Sequence, residues 1–291
     1  MDVRELAPRS DEMRARALVA AASLTLPGQR VRDKLSAGVP LLHDEDVRID
    51  PEIVHSAWRE GLRSDSRSGL DGAEHEVEVV QHALDTHRLH AEHVTAEALA
   101  GHAEHVRAIA QAARVSDWFV EGLANAAAHL ILRGYAELLG PALTLGDWQR
   151  GYCPICGAWP WQFVRAASGG PGRLLCGRCG TAWSWHAREC PFCGEHDTLR
   201  DLESAAGLGG PAALSCSSCR RFLVARATPM SDLPLDIGSP PDSVHRPVTP
   251  SAGAADAHAL AISRGYIAPA GVGFRLELRG DEPEWDAFDD Q

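Results

Sequence analysis

Eight cysteines in four Cys-x-x-Cys pairs constrain this 291-residue chain more than any other feature of its sequence. All eight lie between residues 152 and 219, and the four pairs are Cys153/Cys156, Cys176/Cys179, Cys190/Cys193 and Cys216/Cys219. A spacing of two residues lets both sulfurs of a pair converge on one ion. Two pairs then supply the four thiolates of a closed tetrahedral site that suits Zn(II) or a single iron ion. The pattern therefore predicts two metal ions bound by these eight cysteines.

The intervals between the pairs favour the grouping of consecutive pairs. Nineteen residues separate the first pair from the second and 22 separate the third from the fourth, whereas ten separate the second from the third. The long intervals match Cys-x₂-Cys-x₁₅₋₂₀-Cys-x₂-Cys ribbons, the second slightly long. We predict that consecutive pairs share an ion; a cross-braced arrangement, first with third and second with fourth, is the alternative.

Glycine follows three of the four pairs, at Gly157, Gly180 and Gly194, where it permits the left-handed backbone that completes a metal-binding turn. Arg220 follows the fourth pair instead. A thioredoxin-type redox motif is the main rival interpretation of these pairs, but it occurs singly at a helix start in a βαβ pattern. Zinc in a closed site would be purely structural, replacing a core that a small segment cannot otherwise build. Iron would make one-electron chemistry available.

The region before the cysteines predicts an all-helical domain over residues 1–148. Apolar residues at helical spacing, with capping and breaking residues at the ends, predict helices over residues 11–26, 51–61, 74–90, 95–114 and 116–139. Residues 29–50 are predicted to form a loop, because Gly38 and Pro40 interrupt the pattern.

Short strands between metal-binding turns are predicted for the cysteine region. Trp159/Trp161 and Trp183/Trp185 each place two rings on one face of a strand, and we interpret them as ribbon core rather than a partner-binding patch. The chain is thus predicted to be a multidomain protein of α plus small β class. Its predicted parts are a helical domain (1–148), two tandem rubredoxin-like or zinc-ribbon subdomains (149–188 and 189–228) and an irregular C-terminal arm (229–291).

Six prolines between residues 229 and 250 indicate that the arm is irregular. A short helix over residues 256–265 and a short strand over 273–278 are predicted within it.

Eight of the 14 histidines lie between His75 and His129, and the spaced ones are His87, His90, His93, His102 and His105. Spacing of three places neighbours on one helix face, so a further metal site is an alternative. We favour solvated helix faces, since the region is otherwise polar and lacks a His-Glu-x-x-His order.

Charge argues against a nucleic-acid partner. The net charge is −12, and only residues 151–226 are basic, with eight arginines against five acids. Two four-thiolate sites with divalent ions would each add −2 there, which removes any basic footprint. No run of 18 apolar residues exists, and the charged N-terminus does not resemble a signal peptide. We therefore predict a cytoplasmic protein without membrane insertion, whose thiols stay reduced. No nucleophile elbow, P-loop or dinucleotide fingerprint occurs, so we predict no enzymatic activity.

The cysteine motifs resemble those of formate dehydrogenase accessory proteins of the FdhE family. The residues that carry the resemblance are Tyr152-Cys153-Pro154-x-Cys156-Gly157 with Pro160, Arg173-Leu174-Leu175-Cys176-x-x-Cys179-x-Thr181-x-Trp183, Cys190-x-x-Cys193-Gly194, Cys216-x-x-Cys219, and a shorter match from Asp256 through Arg264-Gly265-Tyr266. The stronger part covers about residues 150–225. The Pro-rich stretch and Arg220 depart from the family pattern.

The resemblance implies a cytoplasmic assembly factor rather than a catalyst. Such proteins bind the catalytic subunit of respiratory formate dehydrogenases and act before that enzyme is exported. Their rubredoxin-like sites are associated with iron, so the resemblance favours iron, with zinc as the alternative. A homodimer is an additional prediction. Two other functions compete with this one: a zinc-ribbon adaptor for nucleic acid or transcription machinery, and a rubredoxin-like electron carrier.

Overall fold

A computed structural model of the chain describes residues 3–65, 73–145, 147–165, 171–186, 188–202, 212–227, 252–269 and 271–279. The predicted Pro-rich stretch, residues 229–250, lies outside these ranges. In the part of the chain that is described, no helix has both the length and the apolar character needed to cross a membrane.

The N-terminal part is helical, as the sequence predicts, but its described residues form seven helices where the sequence predicts five. They are α1 (Val3–Ala21), α2 (Gly28–Ala37), α3 (Pro51–Asp65), α4 (Ala73–Asp85), α5 (Ala91–Ala100), α6 (Ala103–Ala112) and α7 (Asp117–Leu139), and a 3₁₀ helix follows at Gly140–Leu145. Helix α7 is central, because α1, α3, α5 and α6 all pack on it. Small side chains such as Ala124, Ala127 and Ala128 are fully buried in α7 and let its neighbours approach closely on several sides.

The helices predicted over residues 11–26 and 74–90 each end five residues early, at Ala21 and Asp85, and two further predictions are wrong in detail. The predicted loop over residues 29–50 contains α2, whose Val31 and Leu35 are buried one turn apart. Gly38 ends this helix in the left-handed conformation, so the glycine marks a helix end rather than a continuous loop. The helix predicted over residues 95–114 is two helices, because Gly101 takes φ 86° and ends α5 in the left-handed conformation before α6 begins.

The cysteine region forms one six-stranded sheet. Its strands are β2 (Pro160–Arg165), β3 (Gly172–Cys176), β4 (Ala182–Trp185), β5 (Leu199–Leu202), β6 (Ala212–Cys216) and β7 (Phe222–Ala227), in the order β4-β3-β2-β7-β6-β5. Each half repeats one pattern, namely a Cys-x-x-Cys turn, two strands, a second Cys-x-x-Cys turn and a third strand. The predicted tandem ribbons are therefore present.

The two ribbons are joined edge to edge. The first strand of one ribbon, β2, pairs in parallel with the last strand of the other, β7, with Gln162 opposite Val224, whereas all other pairs in this sheet are antiparallel. The pairing makes a single sheet in which the ribbons follow each other head to tail. The sequence did not predict this joint.

The C-terminal residues return to both parts of the molecule. Helix α8 (Ala252–Ser263) packs on β5, β6 and β7, and its Ala257 and Ala261 are buried against Phe222. Residues 271–279, which we call the strap, then cross back to the helical domain. The strap ends in β8 (Leu278–Arg279), which pairs in parallel with β1 (Glu45–Asp46).

The strand predicted over residues 273–278 is therefore shorter and lies further along the chain than expected. The reason is that the N–H groups of Gly273 and Phe274 donate to the carbonyl of Gly157, at 2.9 and 3.0 Å, rather than to a neighbouring strand. Leu276 of the strap is 2% exposed and belongs to the main core, which extends from the helical domain into the ribbons.

Candidate metal centres

Four cysteine sulfurs from the first ribbon converge in what we call site 1. Cys153 and Cys156 come from the turn before β2, and Cys176 and Cys179 from the turn after β3. The Sγ atoms of Cys153 and Cys179 are 3.5 Å apart, as are those of Cys156 and Cys176. All four side chains are buried and belong to the main core.

The second ribbon builds site 2 in the same way. Cys190 and Cys193 precede β5, and Cys216 and Cys219 follow β6. The Sγ atoms of Cys190 and Cys219 lie 3.8 Å apart, and so do those of Cys193 and Cys216. Consecutive pairs are thus brought together at both sites, and the cross-braced alternative is not what the structure contains.

Both clusters have the dimensions of a tetrahedral ion site. Within each cluster all four sulfurs lie within 4.8 Å of one another. Four thiolates at about 2.3 Å from one ion stand about 3.8 Å apart, close to the observed 3.5 and 3.8 Å. A disulfide requires about 2.05 Å between sulfurs. The residues present therefore fit a bound ion such as Zn(II) or iron, and the sulfur geometry does not distinguish the two.

The four turns, which we call knuckles and number in chain order, share one backbone pattern. In each, the N–H of the first cysteine donates to the carbonyl five residues later, and the N–H four residues later donates back to that cysteine's carbonyl. For the first knuckle these bonds are Cys153 N to Ala158 O, 2.8 Å, and Gly157 N to Cys153 O, 3.0 Å. The local pattern holds the two sulfurs of each knuckle on the same side.

The residue that closes each knuckle has positive φ, and at the fourth knuckle it is Arg220, with φ 61°. The glycines of the other knuckles have φ between 72° and 78°. Contacts of the arginine side chain offset the strain of its backbone. Its guanidinium lies 4.1 Å from the ring centre of Tyr266 and donates to the carbonyl of Arg264 at 2.9 Å. The fourth knuckle is thereby connected to the end of α8.

One cysteine at each site carries a lowered pKa. Burial alone would raise the pKa of Cys216, but hydrogen bonds from Thr198 and from the backbone of Cys219 outweigh it and lower the pKa to about 6. At site 1, burial likewise opposes the shift, yet hydrogen bonds from the neighbouring thiols hold the pKa of Cys176 well below its usual range.

The other resolved shifts go the opposite way. Burial, together with neighbouring thiols, raises the pKa of Cys153 and Cys179 well above its usual range. Burial also raises the pKa of Cys190 and Cys219. The four thiols of one cluster cannot all lose their protons readily without a cation nearby. A divalent ion that binds there therefore displaces the protons that remain.

Two threonine hydroxyls contact the sulfurs. Thr181 Oγ1 lies 3.1 Å from Cys179 Sγ, and Thr198 Oγ1 lies 3.2 Å from Cys216 Sγ. A hydroxyl that donates to a thiolate stabilises its charge and orients it. Sequence reasoning did not assign either threonine a role, although Thr181 is part of the motif that carries the family resemblance.

The two sites differ in exposure. Site 1 is buried at all four cysteines, whereas at site 2 Cys193 is exposed and Cys219 is half-buried. The exposure of the cysteines depends on which segments pack over the knuckles. Leu41 and Leu42 donate their N–H groups to the carbonyls of Pro154 and Ile155 in the first knuckle, and the strap packs on the same knuckle at Gly157. Among the described residues, Gly151 and Trp159 contact Pro191 and Phe192 of the third knuckle, yet Cys193 there remains exposed.

Arg178, in the second knuckle, fastens site 1 to the helical domain. Its guanidinium donates to the carbonyls of Ala98 and Leu99 at the end of α5, where the helix dipole favours a cation. Its own carbonyl lies 2.7 Å from Nδ1 of His129 in α7. Burial lowers the pKa of His129, so the neutral ring donates this bond. The arginine charge also offsets part of the net −2 of an occupied four-thiolate site.

The ribbons contact each other through their knuckles. A Cβ at Gly151 would lie 1.7 Å from the carbonyl oxygen of Pro191 in the third knuckle, so only glycine fits there. The rings of Trp159 and Phe192 meet edge to face, with 5.5 Å between their centres, and the guanidinium of Arg221 lies over both rings. Trp183 and Trp185 are buried in β4, as predicted, while Trp159 and Trp161 are only partly buried.

The histidines do not take part in either cysteine site. His87 and His105 are exposed, whereas His90, His93 and His102 are half-buried. His102 and His105 meet Glu97 at the turn between α5 and α6.

The fold and the two sites define a class of protein in which a helical N-terminal part precedes two tandem four-cysteine ribbons. Each ribbon could hold one metal ion. Among solved structures, the chain is similar to the crystal structure of the FdhE protein from Pseudomonas aeruginosa. The identity is 18%, the TM-score is 0.49, and the match covers 90% of this chain and 86% of that one. This is the family that the cysteine motifs resemble. No protein-family model matches the chain, and no curated protein matches its sequence.

Proposed function

We propose that this chain is a maturation protein that binds the catalytic subunit of a respiratory formate dehydrogenase in the cytoplasm and assists its assembly before export. The observation that carries the proposal is the pair of four-cysteine clusters, built in tandem from the motifs at which the sequence resembles the FdhE family. In this proposal each cluster holds one metal ion through all four of its cysteines.

A role without catalysis follows from the chemistry of the sites. Four thiolates complete a tetrahedral shell, so an ion held by them has no position for a substrate. Such an ion supplies structure, and iron would also supply a one-electron redox change. We favour iron from the family resemblance, with zinc as the alternative, and propose that the ribbons present a fixed surface to the client.

Recovery of the client tests this proposal. The affinity-tagged chain is isolated from cells that make formate dehydrogenase, after nuclease treatment, and the bound proteins are identified. We expect the catalytic subunit with the wild type and with His82→Ala, a change at an exposed histidine. We expect its loss with Cys153→Ser. Absence of the catalytic subunit from the wild-type sample, with nucleic acid retained when nuclease is omitted, would favour the adaptor function instead.

Metal analysis of anaerobically prepared protein tests the sites and the electron-carrier alternative. We expect two ions per chain, with thiolate-to-iron absorption in the visible range if iron is the native metal. A colourless protein with two zinc ions would rule out electron transfer and leave the maturation function standing. The large helical domain already argues against a simple electron carrier, which has no use for it.

Oligomeric state needs its own measurement. We propose a homodimer as a prediction from the sequence, and light scattering of the metal-loaded chain gives the mass that decides it.

A further inference from the structure

Glu97, His102 and His105 bring three ligand atoms together at the turn between α5 and α6. Nδ1 of His102 lies 2.9 Å and Nδ1 of His105 2.8 Å from the same carboxylate oxygen of Glu97, and the three atoms all lie within 4.8 Å of one another. The backbone fixes this arrangement, because Gly101 takes φ 86° and the N–H of His102 donates to the carbonyl of Glu97 at 2.9 Å.

The charge around Glu97 is suited to a cation. In the described part of the chain, the basic groups within ion-pair distance of this carboxylate are imidazoles: His102, His105 and, at 3.9 Å from its other oxygen, His93. The nearby Glu104 is paired with Arg275 at 2.8 Å and does not compete. Glu97 thus faces imidazole rings, each of which can present a nitrogen lone pair to a cation.

Distances and accessibility agree with an open metal site. An ion at about 2.1 Å from imidazole nitrogen and carboxylate oxygen holds neighbouring ligands about 3.0 Å apart in octahedral geometry, close to the 2.8 and 2.9 Å found here. The side chain of His105 is 58% exposed, while that of Glu97 is 23% exposed. Water can therefore complete the shell of such an ion, unlike the closed cysteine sites.

We propose that Glu97, His102 and His105 form a third metal site, for a divalent transition ion that prefers nitrogen and oxygen ligands. Two imidazoles and one carboxylate leave coordination positions open to solvent, and this donor set suits Fe(II), Ni(II) or Zn(II) rather than a thiolate-seeking ion. At each histidine the ion takes the place of the one proton that Nδ1 otherwise shares with Glu97, and the neutral ring then carries its single proton on Nε2.

Nickel binding to the untagged, full-length chain with both cysteine sites loaded with zinc tests the proposal. Ni(II) is added by equilibrium dialysis, and nickel and zinc are counted in the same sample. We expect one Ni(II) per chain with zinc unchanged at two. Glu97→Gln and His105→Ala should each weaken nickel binding by about tenfold or more, because loss of even a residue that only supports a ligand costs about 10- to 100-fold.

His82→Ala is the matched control, since it removes an exposed histidine elsewhere, and it should bind nickel as the wild type does. Thermal unfolding without nickel checks that each variant is folded, and Glu97→Gln, which keeps the side-chain size, serves if His105→Ala is not. Absence of nickel from the zinc-loaded wild type, equal binding by the two site variants, or equal loss in the control would overturn the third site and leave Glu97 as a hydrogen-bond acceptor only.

Discussion

The backbone of Arg220 is left-handed although the residue carries a Cβ. This conformation costs about 1–2 kcal/mol in residues other than glycine. Its cation–π contact with Tyr266 and its bond to the carbonyl of Arg264 are each worth about 1 kcal/mol. The strain and the contacts therefore nearly cancel, which explains how an arginine serves where three other knuckles have glycine.

Substitutions at Arg220 separate these two contributions. Arg220→Ala keeps the strain and loses the contacts, so we expect a loss of about 2 kcal/mol in the free energy of unfolding of the metal-loaded protein in urea. Arg220→Gly relieves the strain as well, and we expect it within about 1 kcal/mol of the wild type.

Gly194→Ala is the control for the backbone contribution alone, because an added Cβ there meets nothing within 4 Å while φ is 75°. It should lose about 1 kcal/mol. If Arg220→Gly proves as damaging as Arg220→Ala, the side-chain contacts rather than the backbone govern the fourth knuckle.

The grouping of the cysteines was predictable from sequence, whereas the compensation at Arg220 was not. Each knuckle is a local turn whose two sulfurs are set by a spacing of two, and the intervals leave few ways to combine the pairs. Arg220 was recognised as unusual from sequence. Tyr266, however, lies far along the chain, and nothing local to Arg220 indicates that the two side chains meet.

At the scale of the structural elements, each ribbon supplies all four sulfurs of its own site. The two sites should therefore lose their ions independently. We expect Cys153→Ser and Cys190→Ser each to release one ion, counted by metal analysis, because each change removes one of four ligands. Cys153→Ser should also lower the unfolding temperature more, since site 1 lies in the main core. Release of both ions by either single change would contradict two independent sites.

The two sites should release their ions at different rates, because their cysteines differ in exposure. Cys193 of site 2 is exposed, whereas every cysteine of site 1 is buried, so a chelator reaches site 2 first by attacking at that ligand. Mixing the loaded protein with a coloured chelator should give a fast phase and a slow phase of one ion each. Cys190→Ser is the control, because it should remove the fast phase and keep the slow one. A single phase for both ions in the wild type would show that exposure does not control release.

Elements with strong local signals were predicted, and those that depend on distant partners were not. Helix α7 has a long apolar stripe and was predicted within a residue of its bounds. The joint between β2 and β7 pairs residues about 60 positions apart, such as Gln162 and Val224. The sequence pattern of the same strands is equally compatible with two separate ribbons. Helix α2 is not predicted from the sequence, because the glycine that ends it, Gly38, is equally typical of a loop.

At the scale of the whole molecule, the strap connects the helical domain with site 1. Leu276 is its buried anchor, and Leu276→Ala should lower the free energy of unfolding by about 2–4 kcal/mol through lost burial and the cavity left behind. Leu276→Ala should also speed release of the ion from site 1, because the strap packs on the first knuckle, which holds two of that site's ligands.

Ile267→Ala is the matched control, since Ile267 is 60% exposed and its loss should change the free energy of unfolding by less than about 0.5 kcal/mol. Urea unfolding and the chelator assay measure both effects in the same variants. Destabilisation without faster release from site 1 would mean that the strap supports the helical domain alone.

The covering of the first knuckle also sets an order of events during synthesis. The carbonyl of Gly157 leaves the ribosome long before its donors at Gly273 and Phe274, by on the order of ten seconds at ordinary rates of translation. During that interval the helices and all four ligands of site 1 are already made, but the last cover is not. We expect nascent chains arrested before residue 271 to exchange the site 1 ion faster than the finished protein. The supply of metal to the growing chain, rather than to the completed fold, then decides which ion becomes enclosed.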